Sequence, residues 1–330
     1  KNSKMAVEAS IKDNFILIFG EANTKCDIDY ETIAKNVLKE AGYKENYEVL
    51  IKVNKQSSEI NAAVTKKDGE IAAGDQGIMF GFACDETNEL MPAPIYYAHK
   101  LALKLRDIHK KYDELGPDGK TQVTVRYIDN VVNSIDSIVI STQHSPNIEL
   151  ETIKQIIINE VINPTIPKSL ITSDTKYLIN PSGSFIVGGS FGDSGTTGRK
   201  IVCDTYGGYS RVGGGCLSSK DPSKVDRSAA YYCRYVAKNI VANGLAKKCE
   251  IGVSYAIGCV NPISIFIDTF GTSTLPEEQL EEIISKNFDF SVTNIINELD
   301  LCRPIYAETS CYGHFGRNIF PWEKIKELKL

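Results

Sequence analysis

The apolar positions change period several times along the chain, and the changes mark its elements. NFILIFGE (14 to 21) reads as a strand and leads through a polar loop into DYETIAKNVLKEAGY, where Ile33, Val37, Leu38 and Ala41 recur at helical spacing. SIDSIVISTQ (134 to 143) predicts a second strand, followed through HSPN by IELETIKQIIINEVINP, a helix expected to stop before Pro164. ISIFIDTFG (263 to 271) predicts a third, followed through TSTLP by the helix of EEQLEEIISKNF. The last two units are each preceded by a further strand and a tight turn, Asp129-Asn130 after TQVTVRYI and Asn261-Pro262 after EIGVSYAIGCV. The recurrence is too long for a solenoid repeat and predicts an α+β fold of three related domains, each with helices on one face of a sheet.

Between these units lie segments without apolar periodicity, where ligand chemistry is expected. KQSSEINAAVTKKDGEIAAGDQG (55 to 77) reads as a mobile loop ending in a tight turn. ELGPDGKTQV (114 to 123) places a Pro-Asp-Gly turn before a strand that starts near Lys120, and YLINPSGSFIVGG (177 to 189) reads as a hairpin with Ser184 and Phe185 at its tip. The richest stretch is GDSGTTGRKIVCDTYGGYSRVGGGCLSSKDPSKVDRS (192 to 228), which mixes glycine with lysine, arginine and aspartate. Glycine allows close backbone approach to a ligand, and cations beside carboxylates suit anionic oxygens bridged by a divalent ion. The stretch has neither GxxxxGK[ST] nor a GxGxxG opening a helix, so neither common nucleotide fingerprint applies.

Within it, Asp221-Pro222 predicts a helix start, Asp as N-cap and Pro at the first helical position, with the helix running to about Asn243 before Gly244. Lys220, Lys224 and Arg227 then crowd the positive end of the helix dipole, an arrangement that a bound anion would reverse from unfavourable to favourable. Arg199 and Lys200 precede IVCDTY, read as a strand, and Asp193 and Asp226 are the metal or polar-anchor candidates. His99 and His109 fall on one helical segment and read as packing or surface residues; His144 and His314 lack a nucleophile constellation, so none of the four is assigned chemistry.

A chain of 330 residues has room for two or three domains, and its net charge of -5 argues against a general nucleic-acid binder. Nine cysteines without a CxxC pair read as reduced thiols of a cytoplasmic protein. No apolar run is long enough to span a bilayer, and KNSKMAVEAS is not a signal peptide.

AAGDQGIMFGFACDET, LMPAPIYYAH, LGPDGKTQVTVRY, STQHS, INPSGSFIVGG, GDSGTTGRKIVCDTYGG, SKDPSKVDRSAAY, YVAKNIVANGLA, VSYAIG and YGHFGR together resemble the S-adenosylmethionine synthetase family, from about Glu8 to Trp322. The resemblance implies three similar α/β-sandwich domains about a pseudo-threefold axis, with boundaries expected at 1-60, 61-187 and 188-330. It implies ATP and L-methionine as substrates, with sulfur attack on ATP C5′ and then hydrolysis of triphosphate to phosphate and diphosphate. Mg2+ and K+ are the implied cofactors, and a homodimer or homotetramer with its site at the subunit interface the implied assembly. Lys120, Arg199, Lys200 and Lys220 would hold the phosphates as the catalytic set; Asp118 and Gly119 would line the nucleotide site, with Ser184 and Phe185 at the adenosine. Asp193 would contact both substrates, Cys216 would border the nucleotide, and Asp226 would bind Mg2+. Glu8, Gln56, Asp75 and Lys224 would serve methionine.

Two departures stand out. GGGCLSSKD carries Cys216, Leu217 and Ser219 where the family usually has Ala, Phe and Gly. The family's GHPDK motif does not occur, so its leaving-group histidine, one Mg2+ aspartate and a potassium-site glutamate have no position to name. A chain that truly begins at Lys1 is expected to bind triphosphate and make little product. The competing expectations are a noncatalytic subunit of the same fold and a phosphotransfer enzyme that forms ADP.

Overall fold

The computed structural model describes residues 3–55 and 69–330. Their architecture is α+β, built on three sheets that each pack helices on one face. In the first, β1 (Lys4–Lys12) and β2 (Phe15–Asn23) form an antiparallel hairpin. β3 (Glu48–Asn54) runs parallel to β2, and the two-residue β8 (Gly195–Thr196) pairs with the far edge of β1, for an order β3-β2-β1-β8. Alternation sends Ile16 and Ile18 of β2 inward, with Val7, Ile11, Val49 and Val53 beside them. Helix α1 (Tyr30–Ala41) covers that face through Tyr30, Ala34 and Leu38. It starts where the Asp29 side chain accepts the Thr32 N–H and stops at Gly42 in the left-handed region, φ 105. Its apolar stripe is wider than its contact: Ile33 and Val37, expected to be core, are exposed.

The second sheet joins distant parts of the chain, in the order β10-β9-β4. Here β4 (Gly77–Cys84) pairs antiparallel with β9 (Lys248–Tyr255), which pairs with β10 (Ser264–Asp268). A helix of 18 residues, labelled α4 (Val225–Ala242), lies across it and is buried almost throughout. Gly81 permits that contact, because a Cβ there would come within 2.1 Å of the α4 backbone at Cys233 and Arg234. The third sheet has β5 (Leu115–Ile128), β6 (Val131–His144) and β7 (Lys176–Ile179), with β7 parallel to β6. Against it pack α2 (Ala93–His109) and α3 (Leu150–Ile156), their Leu101, Leu105 and Ile153 meeting Ile138 and Ile140. The strand-loop-helix units expected from periodicity are present, with α5 (Glu277–Asn287) following β10 and α6 (Val292–Glu298) beyond it.

Four local expectations are corrected. The helix after β6 continues from α3 through a π segment, Ile157–Ile162, into Asn163–Thr165, so it does not stop before Pro164. Pro164 follows directly on the π segment, whose wider turn accommodates a residue that cannot donate a helical N–H. Residues Ile201–Asp204 form a helical turn instead of a strand, closed by Asp204 N–H donating to the Lys200 carbonyl at 2.9 Å and Thr205 N–H to that of Ile201 at 3.1 Å. No return strand follows β7, so 177–189 is no hairpin. Finally, α4 begins at Val225 with Lys224 as N-cap; the carboxylate of Asp221 is engaged elsewhere.

Candidate active site

The free edge of β1 gathers two pieces of the glycine-rich stretch that the sequence keeps apart. Near its start, the Met5 N–H donates to the Asp221 carboxylate at 2.8 Å, and Val7 N–H to the Ser219 carbonyl at 3.0 Å. Further along, Thr197 N–H donates to the Ala9 carbonyl at 2.9 Å, and Ser10 and Ile11 pair with β8. Glu8, half-buried, sits on β1 between the two attachments. Gly198, φ 71, closes the gap: a Cβ there would lie 2.1 Å from that of Cys216. The TGRK and GGGCLSSKD segments are therefore packed against each other. Cys216 fills the space Gly198 leaves, and its thiol reaches the Ser218 carbonyl at 3.5 Å.

The cations fall into two kinds. Lys220 Nζ meets Asp226 Oδ2 at 2.6 Å, and Lys224 Nζ meets Asp221 Oδ2 at 2.7 Å. Asp221 also accepts from the Ser223 N–H and hydroxyl. Burial pushes its carboxyl up, but Lys224 and these hydrogen bonds outweigh that and hold it below its ordinary range. Lys120, Arg199 and Lys200, in contrast, are exposed and have no ion pair among the described residues. Asp226 lies beneath Gly215, where a Cβ would come within 2.2 Å of its carboxylate. Arg227, expected at the helix start with the lysines, is instead buried: its guanidinium lies 4.3 Å from the Tyr306 ring centre, its Nη1 donates to Tyr231 at 3.1 Å, and its Nε has no partner. With Lys220, Met5 and Val7 it borders a cleft of ≈ 670 Å³.

A second group of expected residues stands at the end of β5 and β6. The strand β5 begins at Leu115, ahead of the Pro-Asp-Gly turn, which appears as a bulge between Leu115 and Gly119. Lys120 is thus within the strand rather than at its start. The bulge turns Asp118 so that Oδ2 accepts the Gly189 N–H at 2.8 Å. Tyr43, beyond α1, packs on Gly189, and burial and then the Asp118 charge push its phenol up to about 12. Phe185 is half-buried, Ser184 exposed, and Gly119 exposed on β5. Segment 189–197 links this end to β1, with Asp193 exposed along it and accepting the Ser194 N–H at 2.7 Å.

Asp75 is exposed in the turn before β4, which is tied to the cradle by Gly74 N–H donating to the Ser223 carbonyl at 3.2 Å. Gln56 and most of the expected mobile loop lie outside the described residues. Sequence reasoning missed Gln143 and His144, which hold the 185–189 segment, and the paired state of Lys220 and Lys224; only the adjacency of Gln143 and His144 at a strand end could have drawn attention to them.

Residues 70–185 match the model of the S-adenosylmethionine synthetase central domain, and 187–324 that of the S-adenosylmethionine synthetase C-terminal domain. The chain belongs to the S-adenosylmethionine synthetase family. It is 50% identical to an S-adenosylmethionine synthase of Desulfosudis oleivorans, across 99% of this chain and 88% of that protein. Identity to an S-adenosylmethionine synthase of Sorangium cellulosum is 48%, across 98% of this chain and 79% of the relative. The stretches that match include both the β1 cradle and the β5–β6 end.

Proposed function

We propose that the chain is a methionine adenosyltransferase, making S-adenosylmethionine from ATP and L-methionine. The observation that carries the reading is the stitching of TGRK and SSKDPSK to one edge of β1, which brings fixed cations and glycine backbone together in a member of this family. In the reaction, the methionine sulfur forms a bond to C5′ while the C5′–O bond breaks, its electron pair leaving with triphosphate. Lys220, Arg199, Lys200 and Lys120 hold the triphosphate oxygens and stabilise the charge that builds on the departing oxygen. Asp118 and Gly119 line the nucleotide, Phe185 offers the adenine a stacking face beside Ser184, and Cys216 borders it. Glu8, Asp75 and Lys224 receive methionine with Asp193, and Gln56 is assigned to it from the sequence. The triphosphate is then cleaved to phosphate and diphosphate.

Asp226 fits a divalent ion: its carboxylate lies where Gly215 leaves the backbone open, and Mg2+ is commonly held by one or two carboxylates plus substrate phosphates. Mg2+ bound there would neutralise phosphate charge, while Lys220 exchanges Asp226 for a phosphate oxygen. K+ is proposed from the family resemblance, and we assign it no side chain. Self-association as a homodimer or homotetramer, with the site between subunits, is supported by uncovered sheet faces that carry Phe15, Leu50, Ile78 and Phe266 at 43–54% exposure. Nine free cysteines support a cytoplasmic setting, and no helix among the described residues is long and apolar enough to cross a membrane.

The test incubates the protein with ATP, methionine and Mg2+ and follows products by mass spectrometry and phosphate release. Methionine-dependent sulfonium with phosphate and diphosphate supports the reading. ADP would instead indicate phosphotransfer, and tripolyphosphate binding without turnover a noncatalytic subunit. The latter is not favoured, since a binding-only descendant has no physical need to keep several mutually repelling cations.

A further inference from the structure

The adenosine end is held by two consecutive side chains at the end of β6, one on each side of the strand. Gln143 Oε1 accepts the Asp118 N–H at 3.2 Å while its Nε2 donates to the Ile186 carbonyl at 3.1 Å. Gly116 and Gly188 make room for it, since a Cβ at either would come within 2.7 Å of the Gln143 amide carbon. His144, 5% exposed, closes a second clasp: its N–H donates to the Phe185 carbonyl at 2.9 Å, and its ring Nε2 lies 3.0 Å from the Phe185 N–H. The other ring nitrogen, Nδ1, lies 2.8 Å from the Ser145 carbonyl. A backbone N–H can only donate and a carbonyl can only accept, so the ring must be neutral with its proton on Nδ1.

We propose that Gln143 and His144 are positioning residues that fix Phe185 and Asp118 relative to each other, and so set the affinity of the site for the adenosine part of ATP. The inference rests on the adenosine role proposed for Phe185. Nothing in the hydrogen bonds requires His144 for folding of the β6 ladder, which is completed by backbone groups and by Asn180, whose side chain pairs with both Thr142 backbone groups. His144 instead spends both ring nitrogens on the segment that carries Phe185 and on its own turn. The chemistry also distinguishes replacements: glutamine can place an acceptor at the Nε2 position, whereas asparagine reaches only the Nδ1 position.

The experiment compares the full enzyme with His144→Gln, His144→Asn, Gln143→Leu and Phe185→Ala. It measures KM for ATP and for methionine, kcat, and hydrolysis of added tripolyphosphate, a substrate without adenosine. Losing one clasp is expected to raise the KM for ATP about tenfold with little change in kcat. Methionine KM and tripolyphosphate hydrolysis stay as in the parent, and His144→Gln restores most of the ATP affinity that His144→Asn loses. Nitrogen-15 NMR of the parent should show the Nδ1–H tautomer at His144. If Phe185→Ala weakens ATP while His144→Asn and Gln143→Leu do not, the positioning inference is wrong and the adenosine reading stands. If Phe185→Ala leaves ATP affinity unchanged, the adenosine reading fails and this inference with it. Equal losses toward ATP and tripolyphosphate would overturn the inference by showing a general structural role.

Discussion

The approach to α4 and the body of that helix carry charge in opposite ways. Before its first turn, Lys220 and Lys224 each hold a single carboxylate, and the Lys220–Asp226 pair retains 18% and 13% side-chain exposure. Further along, Arg234 and Lys238 converge on Glu323 with side-chain exposures of 0%, 3% and 0%. Arg234 donates twice to Glu323 and also to the carbonyls of Phe82, Glu89 and Leu90, leaving no donor idle. Burial pushes the Glu323 carboxyl up, and the Arg234 and Lys238 charges pull it below its ordinary value by more. A charge with every bond made inside the protein has nothing left for a ligand. A charge with one exchangeable partner near solvent does. The cations within α4 therefore hold the fold, and those just ahead of it each keep a partner that a ligand can replace.

That contrast breaks most visibly at Glu323. Glu323→Gln leaves Arg234 and Lys238 buried with too little negative charge, and removing one partner of a buried ion pair typically costs ~3–5 kcal/mol. Denaturant unfolding should show that loss, with the Arg234→Met, Lys238→Met, Glu323→Leu triple variant, which leaves no unpaired charge, less damaged than Glu323→Gln. A single variant as stable as the parent would mean the cluster is not what anchors 314–324 to α4.

Lys220→Ala should do the reverse. Sulfonium formation falls by about 10²–10³, the range for loss of one fixed transition-state donor, while stability falls by less than the ~3–5 kcal/mol of a fully buried pair, because Lys220 and Asp226 keep 18% and 13% side-chain exposure. Lys120→Ala is expected to behave alike on rate, because Lys120 has no ion pair among the described residues to lose. Normal turnover in both would remove these lysines from the catalytic set. Unfolding of Lys220→Ala to the extent seen for Glu323→Gln would erase the distinction between the approach to α4 and its body.

Asp226 tests the exchange itself. Asp226→Asn should raise the Mg2+ concentration needed for half-maximal rate by ~10-fold or more, the scale on which even supporting partners of a metal site act. Isothermal titration with Mg2+ and imidotriphosphate, whose P–N–P bridges resist hydrolysis, checks it without turnover. An unchanged Mg2+ requirement would leave Asp226 only as the resting partner of Lys220.

The sequence exposed what local chemistry encodes and hid what distant packing decides. Period changes located β2, β6, β10 and the helices after them, because apolar side chains recur in each at the spacing of its own backbone, whether the face is buried, as in β6, or left exposed, as in β10. They did not reveal that β4 joins β9 in one sheet, since strand pairing across so long a separation leaves no local signal. The glycine-rich stretch pointed to anion chemistry through its composition, the reading proposed above. Its geometry depended on β1, which supplies the hydrogen bonds that TGRK and SSKD lack on their own. Asp221-Pro222 misled for the same reason: Asp221 has the composition of an N-cap, but Met5 and Lys224 claim its Oδ2 and Ser223 its Oδ1. Gln143 and His144 were silent because their role is to other side chains' backbone, visible only once Phe185 and Asp118 are placed.

The smallest effect concerns His314, which touches both the approach to α4 and the helix itself. Tyr231 lies between Arg227 and Arg234 on that helix, and its hydroxyl meets His314 Nδ1 at 2.7 Å, while His314 Nε2 lies 3.3 Å from the Ser218 hydroxyl in the cradle. Burial, and then the Arg227 and Arg317 charges, lower His314 to about 3; burial likewise lowers His99 and His109 to about 4. In the unfolded chain these rings take up protons near 6.5, so between that value and 3 to 4 the unfolded state binds more protons than the folded one. Stability is therefore complete at neutral pH and declines as pH falls below about 6.5, each ring contributing a slope of up to ~1.4 kcal/mol per pH unit. His314→Gln should reduce that slope while leaving a residual part from His99 and His109, read as Tm against pH from 7.5 to 5. Because His314 touches the cradle through Ser218 and the helix through Tyr231, the same variant should alter stability and phosphate affinity together, unlike Glu323→Gln or Lys220→Ala. A parent Tm that is flat across this range, or a variant with the parent's full slope, would show that His314 does not couple the two regions through its neutral ring.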